Sequence, residues 1–217
     1  MVLPEILRGI APAHFLKRLL LPATLLTTLL AILFAAGPAH AASGTGEYAI
    51  KGAGNADCSA YMQARRDGGE VYGQFSGWLM GYVSAYNQVI PETYDVAPWQ
   101  ERDLLMALVE NYCVNNGATR YSSAVLGLLS VIRPLRLANK SEPVSASHNG
   151  ETVTAQREVM RQLQRRLQQD GLYSSTIDGL YGPGTRAAII NFQQRAGLPP
   201  TGIPDQVTLY RALMPTS

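Results

Sequence analysis

Three histidines, two cysteines and a few carboxylates set among apolar residues are the groups in this chain with which a reaction could be run. His14 and His40 lie in an N-terminal segment expected to be removed on export, and His148 lies in a polar stretch expected to be a linker. The expected folded domains therefore hold no histidine. A catalytic zinc is usually held by imidazole, and a Ser–His or Cys–His nucleophile needs the imidazole as its base. Neither is expected, and no metal and no cofactor is expected. Acid catalysis by a carboxylate survives, because it needs only Glu or a Glu/Asp pair. Glu70 and Glu110 are the acids set among aromatic and apolar residues. Their surrounding module is small for a polysaccharide cleft. The chain is therefore expected not to be an enzyme, with carboxylate-dependent glycoside cleavage as the alternative.

The N-terminus has the form of a secretory signal. Arg8, Lys17 and Arg18 form a basic region, Leu19 to Ala36 an apolar run, and Ala39-His40-Ala41 a small-x-small cleavage site. Residues 1–41 are expected to leave; a membrane anchor is the alternative if the signal stays uncleaved. That segment carries three of the 18 Lys+Arg and one of the 16 Asp+Glu, leaving 15 of each. The exported chain is formally neutral, so nothing favours nucleic acid. Cys58 and Cys113 both lie in the exported part. An even count in an oxidising compartment predicts one disulfide between them, with two free buried thiols as the alternative.

Helical patterning dominates the exported chain. Asp57 is a good N-cap, and a first helix is expected over Asp57–Arg66, stopped by Gly68-Gly69. Phe75, Leu79, Tyr82 and Tyr86 recur at helical spacing in a second, over Tyr72–Asn87. Gly77 and Gly81 within it predict the close approach of another helix, since glycine costs helix propensity. A third helix is expected from Pro98, with Leu105, Leu108, Val109 and Tyr112 inward and Trp99 partly exposed as a contact residue. A fourth is expected from Ser122 or Ser123 to Arg133. Residues 137–153 show no apolar period and are expected to be a flexible linker. No internal repeat stands out.

From Met160 to Met214 the chain reads helix, glycine-rich turn, helix, proline-rich turn, helix. The first of these is expected over Thr154–Gln169, with Met160, Leu163 and Leu167 inward and a basic stripe of Arg157, Arg161 and Arg165. Asp170-Gly171 ends it. Asp178-Gly179 and Gly182-Pro183-Gly184 are expected to bend tightly around Tyr181. Ala188, Ile189, Phe192 and Ala196 stripe the second helix, and Asp205 caps the third.

The joint pattern of Leu163-Gln164 and Leu167, Gly171-Leu172-Tyr173, Asp178-Gly179 through Thr185, Phe192-Gln193 and Gly197-Leu198 with Thr201-Gly202 resembles the peptidoglycan-binding-like domain family. It departs at Ile203-Pro204-Asp205, where the family often has another glycine. The resemblance implies a three-helix fold, peptidoglycan as partner, and a periplasmic or secreted, wall-associated location. It places candidate ligand contacts at Tyr173, Asp178, Tyr181, Thr185 and Arg186, along a shallow groove beside the Asp178–Thr185 loop. Upstream, Gly52-Ala53-Gly54, Trp78-Leu79-Met80-Gly81-Tyr82 with Tyr86-Asn87, and Glu110-Asn111-Tyr112-Cys113 resemble small disulfide-bonded periplasmic helical proteins, amidase-immunity-like proteins among them. That implies a periplasmic protein as a further partner.

The expected architecture is all-α. It comprises a signal (1–41), a disulfide-stapled helical bundle (42–136), a linker (137–153) and a three-helix peptidoglycan-binding-like domain (154–217). The expected function is non-catalytic wall binding with presentation of a helical interaction module. A muralytic enzyme, or a C-terminal domain that binds a protein instead of the wall, are the alternatives.

Overall fold

Asp57 caps the first helix as its sequence position suggests: its Oδ1 accepts the Ala60 N–H at 2.8 Å. In the computed structural model, which describes Ser43, Thr45 and residues 47–214, this helix, α1, spans Cys58–Asp67. The expected signal segment lies outside the described residues. The described residues up to Ala49 fall in a unit of their own, in which the Thr45 hydroxyl donates to the Glu47 carboxylate at 2.9 Å. Ile50 begins the second unit, which holds all the helices and strands of the described residues.

Gly68, at φ +70°, breaks α1 from α2 (Gly69–Val89). α3 spans Arg102–Cys113 and α4 Tyr121–Ile132. The Cys58–Cys113 disulfide forms and joins the start of α1 to the end of α3. Tyr61, Phe75 and Tyr121 fill the core with ring centroids 4.8–5.4 Å apart. The Tyr61 hydroxyl donates to the Met106 carbonyl at 2.8 Å. Burial pushes the Tyr61 and Tyr121 phenols up, so both stay neutral donors. Trp78 lies against Tyr121 and donates Nε1–H to the Lys51 carbonyl at 2.8 Å. A Cβ on Gly54 would collide with its indole, which gives the Gly52-Ala53-Gly54 run a packing reason.

Several expectations for this half are corrected. α3 begins at Arg102, four residues after Pro98, and its buried face is Leu105, Met106, Val109 and Cys113. Tyr112 points outward, 45% exposed. Leu105, Val109 and Cys113 follow one another at i+4 and define that face, with Tyr112 one residue off it. Trp99 is buried rather than partly exposed. Gly77 and Gly81 meet no neighbouring helix, since a Cβ at either would stand in open space.

The stretch expected to be a flexible linker instead contains an antiparallel hairpin. β1 (Pro143–His148) pairs with β2 (Glu151–Gln156) from Pro143↔Gln156 to His148↔Glu151. Its turn is Asn149-Gly150, both at positive φ (51° and 83°), the geometry a two-residue hairpin requires. Ala146 and Ala155 turn inward, while Ser145, Ser147, Thr152 and Thr154 face solvent. α5 therefore starts at Arg157 (Arg157–Gln169), three residues later than expected. α6 spans Pro183–Arg195, with proline in its first turn, and α7 spans Gln206–Leu213, capped by Asp205.

Two apolar cores result. One lies within α1–α4. The other lies within α5–α7 and is completed by the hairpin's Ala146 and Ala155 and by Trp99 and Leu137 from the preceding region. Polar contacts join the same parts: Glu101 N–H donates to Gln206 Oε1 at 2.7 Å, and Gln162 Nε2 donates to the Leu135 carbonyl at 3.1 Å. The fold is helical, with one small two-stranded sheet among the described residues.

Candidate functional site

The Asp178–Thr185 loop is shaped by one side chain below it. Gln164, on the inner face of α5, has no solvent exposure. Its Oε1 accepts the Gly179 N–H at 2.7 Å. Its Nε2 lies within hydrogen-bond distance of Asp178 Oδ1 (2.9 Å), the Leu180 carbonyl (3.1 Å), Thr185 Oγ1 (3.1 Å) and the Tyr173 hydroxyl (3.2 Å). A buried amide needs such partners, and here they are drawn from the loop itself. Gly179 holds φ +75°, and a Cβ there would stand 2.6 Å from the Arg157 carbonyl. Asp178 Oδ1 also accepts the Leu180 N–H at 2.9 Å. The hydrogen bond from Gln164, then that from Leu180, holds the Asp178 carboxyl below the usual range.

The same device recurs at the next turn. Gln193 on α6 is fully buried. Its Oε1 accepts the Gly202 N–H at 2.9 Å, and Nε2 reaches Thr201 Oγ1 (2.9 Å), the Ile203 carbonyl (3.1 Å) and Thr208 Oγ1 (2.9 Å). Gly202 also sits at φ +75°. In both halves a glutamine grips a left-handed glycine and a threonine six residues after it. Reading the sequence missed this internal repeat. The visible signal was Gln164…Gly179…Thr185 set against Gln193…Gly202…Thr208.

The candidate contacts are thus sorted. Tyr173 and Thr185 are buried, and their hydroxyls serve the loop: Tyr173 donates to the Thr176 carbonyl at 2.7 Å and Thr185 to the Leu180 carbonyl at 3.1 Å. Asp178 is half-buried and occupied by the turn. Tyr181 is half-buried, and its hydroxyl donates to the Gly202 carbonyl at 2.8 Å, tying the two clamps together. Desolvation pushes that phenol up. Arg186 runs its stem past Gly202, where His148 also packs, so His148 belongs to the folded hairpin and not to a tether. Gly182 and Gly184 have no positive φ, and the bends rest on Gly179 alone. Around the loop is a shallow depression of about 330 Å³, lined by Tyr173, Ser175, Leu180, Tyr181 and Pro183 among others. Leu180, 46% exposed, is the exposed large apolar side chain in its lining.

The basic stripe on α5 is largely consumed within the protein. Glu158 receives Arg165 at 2.6 Å and Arg161 at 3.2 Å, and Arg157 Nε donates to the Asp178 carbonyl at 3.0 Å. Partial burial pushes the Glu158 carboxyl up, but Arg165 and Arg161 outweigh it and hold the group below its ordinary value. In the other half, Glu110 is paired with Arg65 at 2.6 Å, while Glu70 is exposed in the first turn of α2. No group of three or more His, Cys, Asp or Glu suited to a metal ion occurs among the described residues.

Residues 156–211, which hold this architecture, match the family described as "Putative peptidoglycan binding domain". The chain thus carries that domain in its last three helices. It is also similar to the "Spore cortex-lytic enzyme" of Bacillus cereus, 32% identical over 84 residues, 37% of this chain and 30% of that enzyme. A further similarity is to the "Putative OxPP cycle protein OpcA" of Synechococcus elongatus, 56% identical over 43 residues, 20% of this chain and 9% of that protein. The chain therefore spans well under two thirds of the curated relatives it matches. No solved structure matches at a significant level.

Proposed function

We propose that this chain is an exported, non-catalytic wall-associated protein. Residues 154–217 dock on peptidoglycan through the face around the Asp178–Thr185 loop, and residues 42–136 present a helical surface to a periplasmic protein. The carrying observation is the clamped loop itself. Inside a matched peptidoglycan-binding domain, Gln164 spends its amide holding a turn that offers Leu180 and the edge of Tyr181 to a shallow depression. Apolar and aromatic surface with few fixed polar groups suits stacking on sugar faces. Tyr181 and Arg186 are the contacts retained from the sequence, with Leu180 added. On α2, Val71 and Val89 are 55% and 67% exposed, which supports a protein-facing role for that module.

Co-sedimentation with isolated sacculi tests this. The protein is expected in the pellet, and Leu180→Asp is expected to release it to the supernatant. A wild-type chain that stays in the supernatant sinks the proposal. Recovery of a periplasmic protein by the C-terminal domain, without sacculus binding, would favour the protein-partner alternative.

The cortex-lytic relative favours one second reading, a carboxylate-dependent muralytic enzyme. Glu110 speaks against it, because its carboxylate is held by the Arg65 guanidinium at 2.6 Å and is not free to reach a glycosidic oxygen. Clearing of wall suspensions that is lost in Glu70→Gln or Glu110→Gln would establish it.

A further inference from the structure

A cleft of about 550 Å³ opens between the segment 136–142 and the first two turns of α5. One wall belongs to the matched domain; the other precedes it in the chain. The second wall is held in place at both ends. Leu137 exchanges hydrogen bonds with Asp95 and accepts one from Tyr94 N–H at 2.7 Å. Ser141 Oγ accepts the Glu158 N–H at 2.9 Å, and the Glu142 carbonyl accepts the Arg157 N–H at 2.7 Å.

The cleft is lined by charges of both signs: Arg136, Lys140, Arg157 and Arg161 against Glu142 and Glu158. Most are already engaged. Arg136 donates to the Glu92 carbonyl at 2.9 Å, Arg157 to the Asp178 carbonyl, and Arg161 pairs with Glu158. The Lys140 ammonium and the Glu142 carboxylate have no hydrogen-bond or ion-pair partner among the described residues. One free cation and one free anion thus share a preformed cleft.

We propose that this cleft binds a peptide centre carrying both a carboxylate and a free amine, with Lys140 meeting the carboxylate and Glu142 meeting the ammonium. A phosphate would be drawn by Lys140 and repelled by Glu142 and Glu158; a simple amine would meet the reverse conflict. Only a ligand with both charges satisfies both free groups. Given the wall-binding reading on which this rests, the source is a wall stem peptide whose amine is not cross-linked. Pairs this exposed contribute up to about 1 kcal/mol each, roughly a fivefold effect. The site would then act as a weak second hold, and a second contact on the same chain raises retention through effective concentration.

Calorimetric titration of the purified protein tests it, using a synthetic stem tetrapeptide with a free side-chain amine, the same peptide N-acetylated there, and inorganic phosphate. The free-amine peptide is expected to bind about fivefold tighter than the acetylated one. Glu142→Gln should remove that difference, and Lys140→Gln should weaken both peptides. Both side chains are exposed and unpaired, so neither variant is expected to disturb folding. Equal binding of the two peptides, no binding, or displacement by equimolar phosphate would overturn the proposal. Sacculus binding is scored separately. Retention of sacculi by Glu142→Gln and Lys140→Gln alongside equal peptide binding would remove this site and leave the wall-binding function standing.

Discussion

The Gln164 amide oxygen accepts the Gly179 N–H at 2.7 Å, so the Asp178–Thr185 loop is pinned from inside the core by a side chain that never reaches the surface. Replacing Gln164 with leucine keeps the volume but strips the Gly179 N–H, Asp178 and Thr185 of their shared partner. Leaving buried polar groups unsatisfied costs about 1–3 kcal/mol each. A loss of about 3 kcal/mol in urea unfolding is expected, with a similar loss for Gln193→Leu at its own clamp.

Gly179 and Gly182 should respond differently to alanine. Gly179→Ala places a Cβ at φ +75° and 2.6 Å from the Arg157 carbonyl, whereas Gly182 sits at φ −134° with nothing within 4 Å. Strain of this kind costs about 1–3 kcal/mol. Thermal unfolding should show a clear loss for Gly179→Ala and little change for Gly182→Ala.

Acid should weaken the domain through Asp178 and Glu158. Both carboxyls titrate below their ordinary values in the folded state. Their contribution is complete above the unfolded value, near pH 4, and is lost as pH falls through the lower folded value. Asp178→Asn keeps the Oδ1 acceptor and removes the charge. Its melting temperature between pH 5 and pH 2 should therefore fall less steeply than that of the wild type.

The disulfide closes a loop of 55 residues' separation. The chain-entropy model assigns such a closure about 4 kcal/mol. Cys58→Ser/Cys113→Ser should lose about that much in chemical denaturation. Native protein should resist mild reductant, since both residues are at most 1% exposed.

Trp99→Ala should destabilise the whole unit from Ile50 onward. Truncating a buried tryptophan costs about 3–5 kcal/mol. Trp99 fills the core of α5–α7 although it comes from the chain before α3. The measurement is whether unfolding of the helical and C-terminal regions separates into two transitions in the variant.

Local chemistry was legible in the residues where it was self-contained. Asp57 and Asp205 cap the helices that their positions announced, Gly171 turns at φ +71° after α5, and the two cysteines pair as their even count suggested. Features that depend on a distant partner were not. Gln164 stood in the family pattern as Leu163-Gln164, but its partners became visible only where Gly179 and Thr185 fold over it. Gly77 and Gly81 suggested a neighbour that tertiary packing does not supply. The hairpin was the avoidable miss: Asn149-Gly150 between alternating Val144, Ala146 and Val153, Ala155 carries period two. Tyr173 and Thr185 matched the motif of a binding loop, and the fold buries both with their hydroxyls bonded to the loop's own carbonyls.

With Trp99 and Leu137 seated in the second core, the α1–α4 bundle cannot swivel freely about the α5–α7 domain. An anchored molecule of this kind has a fixed bearing. On the proposed wall-binding reading, whatever α2 displays would be held at a set height and angle above the sacculus, and a partner would have to approach from one side of the lattice to meet it.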